Sequence, residues 1–172
     1  VGAGLSMSAG LPSWTELLDS LENRLVSDAE DDTIFLRSCG ALERAQFFYD
    51  AAGKANVVNS IRDIFKRRQS KNEPFEHVML SSLPSNTIIT TNWDDLIERA
   101  FSRTGVDLRV IWKDDQISPE TVDSSQLIKL HGDLNDPASI IFSDDDYTEF
   151  FNKNSLMESY LATILARSTI LM

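Results

Sequence analysis

Three short stretches of this chain carry residue types that could do chemistry. Gly2-Ala3-Gly4-Leu5-Ser6 flanks an alanine with two glycines. With no Cβ in the way, the backbone can turn sharply and approach a ligand, and its N–H groups can face an anion such as a phosphate. Thr90-Thr91-Asn92-Trp93-Asp94 presents an amide and a carboxylate two residues apart, and Lys129-Leu130-His131-Gly132-Asp133 presents an imidazole. An imidazole titrates near 6.5 and can accept a proton at neutral pH. Each stretch also has a plainer use: Gly-x-Gly in a tight turn, Asn as a helix N-cap, His before Gly to satisfy a turn. Asp133 reads as a cap for the turn that follows it, and His77, with no ligand partner at metal spacing, as a surface or core histidine.

The elements that position these stretches follow from periodicity. Ser13-x-x-Glu16 has capping-box spacing, and Trp14, Leu17, Leu18, Leu21 and Leu25 recur at helical intervals, which predicts a helix from about Ser13 to Val26. Asp28 to Asp32 reads as an acidic connector. The helical period returns over residues 33 to 52 and 55 to 68, and a short helical stretch runs from Pro74 to Leu83. At Asn86 the texture changes. Thr87 to Thr91 is a β-branched run too short for a helix and reads as a buried strand. Trp93 to Arg103 is then helical with Gly105 as its C-terminal cap, Leu108 to Trp112 a strand, and Lys113 to Ser124 a polar loop. Gln126 to Leu130 is a third strand and Ile140 to Phe142 a short fourth. Asp144 caps a final helix over about Tyr147 to Arg167, and Ser168 to Met172 reads as a strand just beginning. This order predicts an α/β fold: a parallel sheet with flanking helices and an all-helical insert, about residues 14 to 85, after the first glycine loop. Residues 1–172 read as a single domain truncated at both ends. Ligands of open parallel sheets sit at the carboxyl ends of the strands, where all three polar stretches fall.

Composition narrows the function classes. With 172 residues, 42% of them hydrophobic and 25% charged, the chain can bury one ordinary core. Lys and Arg number 16 against 27 Asp and Glu, a formal charge of −11, which argues against direct nucleic-acid binding. The basic run Lys66-Arg67-Arg68 reads as a solvated helix end. One cysteine, Cys39, permits no intrachain disulfide and no four-cysteine zinc site, and points to a reducing, cytoplasmic setting. No apolar run approaches the roughly 20 residues that cross a bilayer, so no membrane contact is expected.

The order and spacing of the motifs resemble the sirtuin family. Sirtuins carry Gly-Ala-Gly-x-Ser, three residues, then Gly-Ile-Pro-Asp-Phe-Arg; here Gly2-Ala-Gly-Leu-Ser6 is followed after three residues by Gly10-Leu-Pro12. Their Thr-Gln-Asn-Ile-Asp stands as Thr90-Thr-Asn92-Trp-Asp94, and their catalytic His-Gly as His131-Gly132. The departures are informative. The chain cannot make the paired Cys-x-x-Cys zinc module of protein-deacylating sirtuins, and Ser13-Trp14-Thr15 stands where they have Asp-Phe-Arg. Gly-Leu-Pro-Ser-Trp, Thr-Thr-Asn-Trp-Asp, Lys-Leu-His-Gly-Asp-Leu and the later Asp146-Tyr147 look like the sirtuin-like domains of prokaryotic anti-phage defence proteins.

That resemblance implies a Rossmann-like fold without a zinc module and an NAD glycohydrolase that depletes cellular NAD on infection, the abortive-infection form of defence. NAD enters as substrate, with no metal. Gly2, Ala3, Gly4 and Ser6 would hold the pyrophosphate, and Pro12 and Trp14 belong to the same binding loop, Trp14 covering the anomeric face. Asn92 would orient the ribose hydroxyls and a water, Asp94 would accept a hydrogen bond from the nicotinamide carboxamide, and His131 would take a proton from a ribose hydroxyl or that water. The implied partners are sensor, ATPase or Argonaute-type modules of a defence complex, in a homo-oligomer. Three other readings stay open at this point: a sensor or assembly domain that binds NAD or an ADP-ribose-type nucleotide without cleaving it, an NAD-dependent protein deacylase, and a purely structural role in which the acidic helical insert, residues 14 to 85, makes subunit contacts.

Overall fold

A computed structural model of the chain describes residues 1–26, 35–36, 38–68, 74–118, 125–153 and 155–167. The acidic connector and the strand expected at Ser168 to Met172 lie outside the described residues. Three parallel strands, β1 (Thr87–Thr90), β2 (Arg109–Ile111) and β3 (Gln126–Lys129), form a sheet in the order β1-β3-β2. Thr87 pairs with Gln126 and Ile89 with Ile128, while Ile111 meets Ile128 from the other side. Side chains alternate across a strand. Ile88, Leu127 and Val110 therefore share one face, packed on Ile97 and Phe101 of α6 (Leu96–Thr104). Ile89, Ile111 and Ile128 share the opposite face, packed on Met157, Tyr160 and Leu161 of α8 (Ser155–Arg167). Helices cover both faces, as the apolar character of parallel strands requires.

The helical runs that periodicity predicts form α2 (Trp14–Leu25), α3 (Ala41–Ala52), α4 (Lys54–Arg68) and α5 (Phe75–Leu80), and a further short helix, α1 (Ala3–Met7), forms within the stretch expected to be a glycine loop. Ser13 and Glu16 close the expected capping box at the start of α2. The apolar stripes of α2, α3 and α4 meet in one core with Trp93, Leu96, Leu134, Ile140 and Phe142. The helical insert is thus packed onto the loops at the carboxyl end of the sheet. His77 is fully buried in α5. No helix among the described residues is long and apolar enough to cross a membrane.

Four boundaries differ from the sequence reading, each for a non-local or local bonding reason. The helical run over 33 to 52 is broken at Gly40, whose N–H donates to the Glu43 carboxylate at 2.7 Å and starts α3 afresh. The helix expected from Trp93 begins at Leu96. The Trp93 carbonyl is taken by the N–H of Leu134 and the ammonium of Lys129, and the Asp94 carboxylate accepts the Leu96 N–H. Ile140 to Phe142 forms no strand. Its apolar side chains are buried in the core, and Ile141 makes one backbone bond, to the His131 carbonyl at 3.0 Å. The helix expected over Tyr147 to Arg167 is two helices, α7 (Asp144–Lys153) and α8. The start of α8 is fixed from outside, since the Asp114 carboxylate accepts the N–H groups of Leu156 and Met157.

Candidate active site

β1 and β3 are neighbours, so the loops that leave their carboxyl ends start side by side, joined by the Leu130 N–H to the Thr90 carbonyl at 2.9 Å. On the far side of β1, Val1 bonds to Ile89 and Thr91, which sets the glycine stretch against the same end. The three polar stretches therefore surround one cleft of about 260 Å³. Ala3, Ser6, Pro12, Trp14, Asn92, Asp94 and His131 all line it, as does Tyr147, which sequence reasoning did not place there. Gly2 and Gly4 lie outside its wall, although the Gly2 carbonyl accepts a bond from the Asn92 amide at 3.1 Å.

The glycine stretch does not turn as its composition suggests. Gly2 is extended and caps α1, and neither it nor Gly4 has a positive φ. A Cβ at Gly4 would meet nothing within 4 Å. The two glycines leave open space beside the first turn of α1 instead of making a strained bend.

Three side chains form a chain of hydrogen bonds across the cleft floor. The Asn92 amide donates to the Ser6 hydroxyl at 2.7 Å, and the Ser6 hydroxyl donates its proton to Asp94 at 2.7 Å. Asp94 also accepts the Leu96 N–H at 3.1 Å, and the Asn92 N–H donates to the Thr90 hydroxyl. Asn92 and Asp94 are less than a tenth exposed. Both donor positions of the Asn92 amide are committed to protein, which leaves its carbonyl oxygen as the group for a ligand. A phosphate contact by Ser6 would require its proton to leave Asp94.

His131 is aimed by the residue after it. Gly132 has φ +85, and a Cβ there would lie 2.1 Å from the Ser139 carbonyl oxygen, so only glycine fits the turn. Gly132→Ala is expected to cost about 3 kcal/mol or more of stability, measured as a lower urea midpoint, because both the torsion and the clash must be relieved. A midpoint within experimental error of wild type would show that the turn can relax. Burial in the cleft lowers the His131 pKa below its ordinary value. The ring is therefore neutral at pH 7 and available as a base.

Beneath the cleft lies a charge cluster that sequence inspection did not single out. Lys129, 1% exposed, donates to the Trp93 and Asp94 carbonyls and to the carboxylates of Glu98 and Asp133. Burial disfavours its charge, but the two carboxylates outweigh this and its pKa is raised. Burial pushes the Glu98 carboxyl up despite the ammonium beside it. Asp133 also accepts the Asn135 N–H at 2.7 Å, so it closes its turn as expected and holds Lys129 as well. One ammonium thus ties the end of β3 to the loop that carries Asn92 and Asp94. The legible signal was a lysine in a strand with no solvent-facing side.

The walls are aromatic. Trp14 packs on Trp93 and Phe142 with ring centroids 5.7 and 5.2 Å away, and Phe65 packs on Trp93. The Trp93 indole N–H is buried with no hydrogen-bond partner among the described residues. An apolar cleft with an amide, a carboxylate and a neutral imidazole at one end can bind a flat ring, fix the polar groups attached to it, and take a proton.

Comparison with known proteins agrees with this geometry. Residues 86–172, which carry the sheet, Asn92, Asp94 and His131, match the SIR2-like domain family. The chain is 29% identical over 172 residues to the NAD(+) hydrolase ThsA of Cytobacillus dafuensis and 30% identical over 168 residues to that of Bacillus cereus (strain MSX-D12). These alignments cover 99% and 95% of this chain and 33% of each relative. It is 28% identical over 173 residues to the Defense-associated sirtuin 2 of Bacillus subtilis, covering 99% of this chain and 17% of that protein. The chain thus spans about a third or less of the relatives it matches. The parallel sheet, the loops at its carboxyl end and the family match agree, and the chain belongs to the SIR2-like domain family.

Proposed function

We propose that this domain hydrolyses NAD to nicotinamide and ADP-ribose. The observation that carries the reading is that Asn92, Asp94 and neutral His131 converge on one aromatic-walled cleft. Binding alone does not require a base beside the ribose. The names of the relatives, which describe NAD(+) hydrolases, support it further. The first-turn N–H groups at Gly2, Ala3 and Gly4 face the pyrophosphate, since the opening N–H groups of a helix lack intrahelical acceptors. Pro12 and Trp14 close the cleft over the nicotinamide riboside. Asp94 accepts a hydrogen bond from the carboxamide, and the free oxygen of Asn92 orients a ribose hydroxyl and the attacking water.

In the reaction the glycosidic C–N bond breaks, its electron pair leaves with neutral nicotinamide, and positive charge develops at the anomeric carbon. Water adds to that carbon, and His131 accepts the water's proton before passing it to solvent. The absent zinc module and the Ser13-Trp14-Thr15 sequence leave no evident groove for an acyl-lysine. We place this activity in the cytoplasm, in an oligomeric defence protein that kills the infected cell by draining NAD; the name of the Bacillus subtilis relative and the single cysteine support this. Sensor, ATPase or Argonaute-type modules complete such a protein.

The test is incubation of the full-length protein with NAD and an acetylated peptide. Nicotinamide and ADP-ribose in equal amounts, independent of peptide, are expected. O-acetyl-ADP-ribose as the main product would establish a deacylase, and calorimetric binding of NAD without cleavage a sensor.

A further inference from the structure

A neutral imidazole can accept a proton only at the nitrogen that lacks one, so the tautomer of His131 decides whether it can act as a base toward the cleft. The His131 Nδ1 lies 3.4 Å from the Tyr147 hydroxyl, the ring centroids are 5.1 Å apart, and the rings stand edge to face at 80°. Nε2 has no hydrogen-bond partner among the described residues.

Tyr147 is held in place by what surrounds it in the first turn of α7. The Asp146 carboxylate accepts the N–H groups of Phe142 and Ser143 and, at 2.7 Å, the ammonium of Lys54. Lys54 also donates to the Ile140 carbonyl at 2.7 Å. The helical insert is thereby tied to the segment between His131 and Tyr147. The other titratable groups nearby are engaged elsewhere: Asp94 with Ser6 and Leu96, Asp146 with Lys54, and Lys129 with Asp133. Tyr147 is the polar group that faces Nδ1.

We propose that Tyr147 is a positioning residue for His131: its hydroxyl oxygen accepts the Nδ1–H and so keeps the unprotonated Nε2 available to the cleft. Burial and the neighbouring Asp146 raise the Tyr147 pKa, so the phenol stays neutral and can accept this bond across the working pH range. When Nε2 takes a proton, the bond from Nδ1–H becomes charge-assisted and strengthens. Catalytic hydrogen bonds of this length commonly tighten once substrate is bound. This inference rests on the hydrolase reading of the same cleft.

The experiment compares the full-length protein with its Tyr147→Phe variant. Phenylalanine keeps the edge-to-face ring and removes only the hydroxyl, and Tyr147 is about a third exposed, so the fold and the urea midpoint are unchanged. Long-range ¹H–¹⁵N spectra of the imidazole nitrogens, recorded well above the His131 pKa, read the tautomer; the His131 signal is identified by its loss in His131→Ala. The expected result is the Nδ1–H form in wild type, a shift toward Nε2–H in Tyr147→Phe, and about a tenfold loss of kcat for nicotinamide release with little change in KM. The proposal is overturned by an Nε2–H tautomer in wild type, by the same tautomer in both proteins, or by an unchanged kcat. If wild type releases no nicotinamide, the hydrolase reading fails separately, and the spectra still decide the contact.

Discussion

Replacing His131 by alanine is expected to lower nicotinamide release by the full-length protein about 10²- to 10⁴-fold, the range over which a positioned general base acts. Asn92→Ala is expected to lose a comparable factor, because it removes the oxygen that orients the water and also breaks the bonds to Gly2 and Ser6. The double variant falls little below either single one, since both act on the same step. Burial has lowered the His131 pKa, so activity rises with pH through a value below the ordinary 6.5 and is flat above it. The sign carries over to stability. With a depressed folded pKa, the contribution of His131 is complete above the unfolded value and is lost as pH falls through the folded one. Values of kcat/KM measured from pH 5 to 9, which report titration of the free protein, check the first claim. An inflection above 7, or activity retained in His131→Ala, would remove His131 from the reaction.

Lys129→Met is expected to cost about 3–5 kcal/mol of stability, the usual result of deleting one partner from a buried charge cluster. Glu98 and Asp133 would lose their counter-charge, and the Trp93 and Asp94 carbonyls would lose a donor. Restoring neutrality with Asp133→Asn and Glu98→Gln in the same chain should recover part of the loss, read as urea midpoints of all variants. Lys129→Met with a wild-type midpoint would show that the cluster makes no net contribution. The raised folded pKa of Lys129 means that its stabilisation is complete below the unfolded value near 10.4 and fades only as pH climbs past it. Lys129 therefore stays charged across the physiological range, whereas His131 titrates below it.

The parts legible in the sequence are those decided locally or by burial. The Ser13–Glu16 box closes within one helical turn, and the β-branched run at Thr87–Thr90 has no local alternative to a strand. The convergence of Asn92–Asp94 and His131 followed from their places at the ends of β1 and β3, while Ala3 and Ser6 reach the same cleft from a helix that no strand precedes among the described residues. What escaped depends on partners far along the chain. The start of α6 is set by Lys129, whose bond to the Trp93 carbonyl crosses 36 residues of sequence. Ile140 to Phe142 is apolar because a helical core covers it, not because a strand pairs with it. Tyr147 meets His131 through the route taken by the intervening loop, which no periodicity encodes. The glycines divided against expectation: those of the first loop need no special torsion, while Gly132 has no substitute.

The Ser6 to Asp94 hydrogen bond joins residues 88 apart in the sequence, and His131 is made later still. During synthesis the glycine loop and Asn92 leave the ribosome well before the base does, so a nascent or prematurely released chain holds an incomplete cleft.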